Sequence, residues 1–69
     1  MPVCLASSMV SMTIRRISGS DKVKTHLESL GFIPGEEVML INRVNDNVIL
    51  KIKGVSLAIS EELAKRILV

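Results

Sequence analysis

The chain has 69 residues, 48% of them hydrophobic but only one, Phe32, aromatic, and its nine basic and seven acidic side chains leave a formal net charge of +2. A domain of this size buries only about 60% of the surface its unfolded form exposes, which leaves little room for a deep active-site cleft, and with a single aromatic residue the core must be built from Ile, Leu, Val and Met. So balanced a charge does not by itself imply nucleic acid or an anionic membrane as partner, and one cysteine excludes an internal disulfide or a cysteine-rich metal site.

The opening Met1-Pro2-Val3-Cys4-Leu5-Ala6-Ser7-Ser8 lacks the basic start and long apolar run of a signal peptide, and no segment approaches the roughly 20 apolar residues that span a bilayer. A soluble, cytoplasmic protein is expected, with residues 1–8 as an N-terminal extension and 9–69 as the domain. Residues 9–17 read as a first strand, in which Val10, Met12 and Ile14 alternate with Ser11, Thr13 and Arg15. Arg16-Ile17 breaks the alternation, and a bulge there would return Ile17 to the core side. Ser20 is the expected N-cap of a helix over about 21–30, with Asp21 favouring the positive end of its dipole and Val23, Leu27 and Leu30 inward.

The helix must stop at Gly31, which suits a left-handed C-cap position, and Phe32 and Ile33 are expected to turn inward after it. Pro34-Gly35 fits the central pair of a type II turn, since proline pre-sets the negative φ of the first and glycine accepts the positive φ of the second. Leu30, Gly31, Phe32, Pro34 and Gly35, with Gly54 further on, are therefore the structural motif.

From Glu37 the pattern is strand: Val38, Leu40, Asn42 and Val44 on one face, Met39, Ile41 and Arg43 on the other. A two-residue loop at Asn45-Asp46 would put Val48 on the face of Arg43. A three-residue loop keeps the apolar sets together and is the expectation, with Asn47 left-handed. The second strand runs to about Lys53, Gly54 ends it, and a short strand Ser56 to Ile59 follows. Ser60 reads as a second N-cap for a short helical turn near 61–66, and Ile67-Leu68-Val69 as a closing strand. About five short strands and two small helices without a βαβ crossover indicate a mainly β fold, a small antiparallel barrel.

The segments Gly19-Ser20, Leu27 through Val38, and Ile52 through Ile67, in this order and spacing, resemble the FeoA-type accessory proteins of bacterial ferrous iron transport. The resemblance covers about Met9 to Val69 and implies an SH3-like barrel and a non-enzymatic cytoplasmic protein that binds and modulates the membrane transporter FeoB, which carries a G-protein domain. Similar domains occur at the C-termini of iron-dependent repressors, so a repressor's regulatory domain is one alternative, and a small nucleic-acid-binding barrel is the other. Family members often carry arginine where this chain has Ser56, which puts any contact made by that arginine in doubt.

His26 is the only histidine and has no serine or cysteine placed beside it, so no catalytic residue is assigned. Cys4, His26, Asp46 and the pairs Glu36-Glu37 and Glu61-Glu62 show no convergence on a metal, and no cofactor is assigned. Gly31 through Gly35 follows a helix instead of preceding one, so it is no phosphate loop, and without further aromatics the stacking platform of a single-strand nucleic-acid binder is missing. The more useful feature is the outer face of the hairpin: with a three-residue loop, Met39, Ile41, Arg43, Ile49, Lys51 and Lys53 form a mixed apolar and basic patch. It is either a docking surface for an acidic, partly apolar protein or a face covered by a helix or terminal strand.

Overall fold

A computed structural model describes all of residues 1–69. A four-stranded antiparallel sheet has the order β1 (Ser11–Thr13), β3 (Glu37–Val44), β4 (Asn47–Ile52), β5 (Val55–Ser60), and β2 (Arg16–Ile17) pairs separately with β6 (Ile67–Leu68). Helix α1 (Asp21–Ser29) and the single turn α2 (Glu61–Ala64) complete a mainly β architecture. The two sheets do not close on each other. No helix is long and apolar enough to cross a membrane.

The first strand is split where one continuous strand was expected. Ile14 is still held at β3, its N–H donating to the Glu36 carbonyl (2.9 Å) and its own carbonyl accepting from Gly35 N–H (2.8 Å). The next residue has changed sheets, with Arg15 N–H donating to Leu68 O at 2.7 Å. This handover replaces the expected bulge and still brings Ile17 inward, as it does Ile14. Val10, expected inside, is exposed, because Met9 takes a positive φ of 63° and the ladder begins only at Ser11.

Helix α1 follows from local signals. Ser20 Oγ accepts from Val23 N–H (3.3 Å), and the helix ends when Gly31 adopts φ 104°. Gly31 N–H then donates to Glu28 O (3.0 Å) and Phe32 N–H to Leu27 O (3.1 Å), the paired bonds of a Schellman ending. Phe32 is completely buried, whereas Ile33, expected beside it, is 41% exposed. Ile33 is the first residue of the turn through Pro34-Gly35, its carbonyl accepting from Glu36 N–H at 3.0 Å, and that role turns its side chain outward.

The β3–β4 loop has two residues, not three. Val44 pairs with Asn47, and Asn45, not Asn47, takes the left-handed conformation (φ 55°). The register shifts between Leu40 and Asn42, so that Ile41 is an extra residue in β3. Beyond this bulge Leu40 faces Leu50 and Val38 faces Ile52, all buried. A bulge thus achieves the alignment of apolar sets that an uninterrupted ladder would have required a longer loop to give. The β4–β5 turn is also tight, with Lys53 (φ 51°) and Gly54 (φ 77°) both left-handed between the paired Ile52 and Val55.

Residues 1–8 are not a detached extension. A short 3₁₀ turn, Val3–Leu5, buries Val3 and Cys4 in the same core as Phe32, Leu40, Leu50 and Ile67, and Pro2 bridges to Leu68. At the other end, Ser60 Oγ accepts from Leu63 N–H (3.3 Å), and α2 brings Ala64 into the core.

Candidate docking surface

The core takes Val48, Leu50 and Ile52 from β4, so Ile49 and Lys51 stand on the opposite, outer face. Across the ladder, Lys51 faces Met39 on one side and Ser56 on the other, while Ile49 lies between Asn42 and Ala58. Ile41, at the bulge, is on the same side as Asn42. Met39, Ile41 and Ile49 are half-buried and Lys51 is exposed. Lys51 forms no ion pair.

Two members expected on this face are elsewhere. The two-residue loop places Arg43 opposite Val48, on the core side, and its guanidinium reaches the N-terminal segment: Nε donates to Cys4 O (3.0 Å), and Nη2 to Cys4 O and Ala6 O (3.3 Å for the latter). Lys53 sits in the β4–β5 turn and pairs with Glu36 at 3.7 Å, both groups well exposed. The outer face instead gains Glu37 and Ser11, which lie next to Met39 and are joined by a 2.6 Å bond from Ser11 Oγ to Glu37 Oε2. Val44, placed on the core face by the three-residue loop, is 45% exposed at the far end. The clue to Arg43 was present in the two-residue alternative, which sets Val48 and Arg43 on one face.

The other candidate groups remain apart. His26 is exposed on α1, and Ser29 Oγ, the hydroxyl bonded near it, donates to its backbone carbonyl and not to the ring. No three His, Cys, Asp or Glu side chains gather where one ion could be held. A shallow depression of roughly 390 Å³ is lined by Met1, Arg15, Arg16, Leu68 and Val69, and another of roughly 350 Å³ by Asp46, Ser60, Glu61, Glu62 and Lys65. Both open widely to solvent, and in the second the Ser60 hydroxyl is already the cap of α2. Apolar area and a free charge meet on the sheet face, as they also do in the depression beside Arg15 and Arg16.

A family model, the FeoA domain, matches residues 1–69. Among solved structures, the crystal structure of an iron uptake regulatory protein (FeoA) superposes with a TM-score of 0.87 at 24% identity, over 97% of this chain and 91% of that one. Stenotrophomonas maltophilia FeoA, solved with zinc and described as an SH3 domain protein, gives 0.83 at 20% identity, over 99% and 87%. A manganese-dependent transcriptional repressor gives 0.85 at 14% identity, over 97% of this chain but 39% of the repressor. No curated protein matches the sequence. At these identities the structural likenesses speak for the fold.

Proposed function

Since this chain belongs to the FeoA family, whose domain spans residues 1–69, we propose that it is a cytoplasmic accessory protein that binds the cytoplasmic part of an FeoB-type ferrous iron transporter and modulates uptake. The family carries an accessory role in ferrous iron transport on an SH3-like fold. The observation that supports docking as the mode of action is the outer face of β3 and β4, where Met39, Ile41 and Ile49 present a half-buried apolar strip beside the unpaired Lys51.

Such a strip loses water readily when a partner covers it, and a neighbouring cation selects a partner with acidic groups at the rim. Lys53 borders the same surface, but Glu36 already neutralises part of its charge, so Lys51 is the stronger determinant. Arg43 acts from behind by fixing the N-terminal segment against β3. The module works without chemistry of its own, and nucleotide hydrolysis belongs to the transporter's G-protein domain.

The test is a pull-down from cytosol and detergent-solubilised membranes with the folded chain as bait. Capture of an iron permease with a G-protein domain, lost when Lys51 is changed to Glu, supports the reading. Recovery of nucleic acid alone contradicts it and favours a nucleic-acid-binding barrel, and recovery of a DNA-binding partner chain contradicts it and favours the repressor-domain alternative.

A further inference from the structure

Strand β5 is the one long free edge of the fold. Its pairing with β4 is continuous from Ile52↔Val55 to Asn47↔Ser60, and nothing pairs with its other side. The closing pair of the two-residue turn, Ile52 and Val55, exchanges hydrogen bonds, and by alternation so do Leu50 with Leu57 and Val48 with Ile59. That leaves the N–H and C=O groups of Ser56 and Ala58 aimed outward, and neither residue makes a backbone hydrogen bond outside the ladder. Protected edges are short, bulged, charged or interrupted by proline. Six-residue β5 has none of these features: Val55-Ser56-Leu57-Ala58-Ile59-Ser60 carries no charge and no proline, and its register does not slip. The opposite edge, β1, has three residues.

We infer that the β5 edge accepts an extended acidic segment of a partner protein as an added strand. The side chains on its outer face are small, Ser56 and Ala58, and behind them stand Lys51 and Ile49. A residue added opposite Ser56 comes within about two strand spacings of Lys51, roughly 9–10 Å, with only a serine between. A carboxylate there meets the ammonium, and an apolar residue two positions away passes over Ala58 toward Ile49 and Ile41. The segment therefore alternates so that one face carries an acidic residue with an apolar one two positions away, and a valine on each side of the glutamate serves either strand direction. A second copy of this chain does not fit as well, because its own β5 has no acidic residue to offer Lys51. The inference shares Lys51 with the docking face but does not rest on FeoB being the partner.

The probe is an N-dansylated heptapeptide in which threonines alternate with a valine, a glutamate and a valine. Titrated into the full chain, it should shift the amide resonances of Ser56 and Ala58 and slow their hydrogen exchange at least about tenfold at saturation. Lys51→Glu should weaken binding about tenfold or more, and the same peptide with lysine for glutamate should then bind the variant in preference to the wild type. The swap distinguishes lost recognition from lost folding. Absence of binding at millimolar peptide, binding indifferent to the Lys51 swap, protection confined to other strands, or protection of Ser56 and Ala58 that grows with protein concentration alone would each overturn the inference. Each of these outcomes leaves transporter capture to be judged separately.

Discussion

Arg43 Nε donates to the carbonyl oxygen of Cys4 at 3.0 Å, and the same guanidinium also reaches the carbonyl of Ala6. One planar cation thereby satisfies the backbone at the point where Val3 and Cys4 enter the core. Replacement of Arg43 by methionine keeps the length of the side chain but leaves carbonyls in a half-buried place without their donor. The expected loss is about 1–3 kcal/mol in urea unfolding. Faster hydrogen exchange in residues 1–8 should accompany it, while α1 keeps its protection. Lysine, without the fork, should restore only part of the stability.

Phe32 carries the largest fully buried side chain. Phe32→Ala should cost about 3–5 kcal/mol. In a domain this small that is most of the total stability, so the variant should be largely unfolded by circular dichroism at 37 °C. Phe32→Leu should remain folded with a lowered melting temperature.

At Gly31 the cost is purely conformational. A Cβ built there meets nothing within 4 Å, yet φ is 104°. Gly31→Ala should therefore destabilise by roughly 1–2 kcal/mol without changing any packing contact. Thermal unfolding checks the magnitude, and an unchanged melting temperature would show that the Schellman ending can rearrange.

The features legible in the sequence are those decided within a few residues. Ser20 and Ser60 cap their helices, Gly31 ends α1, and Pro34-Gly35 turns the chain because each rests on its own backbone geometry or on a bond three residues away. The split of the first strand was not legible, since it depends on where Leu68 and Glu36 lie when the chain closes. The hairpin register was missed for a related reason. Alternation requires the buried residues of β3 and β4 to face each other, but a longer loop and a bulge at Ile41 both satisfy it between Leu40 and Leu50. They differ at Arg43, which the bulge leaves beside Val48, where Cys4 and Ala6 offer it carbonyls. Of the six side chains expected on the docking face, Met39, Ile41, Ile49 and Lys51 share it. Arg43 is bound elsewhere, and Lys53 stands in the turn beside Glu36.

The most direct measurement is an isothermal titration of the folded chain with the transporter's isolated cytoplasmic domain, using the wild type, Met39→Glu and Lys51→Glu. Both positions are outside the core, so the variants should unfold at nearly the wild-type temperature. Docking through the outer face requires each substitution to weaken affinity about tenfold or more, with the loss for Lys51→Glu shrinking at high salt. Equal affinities for all three proteins would contradict it.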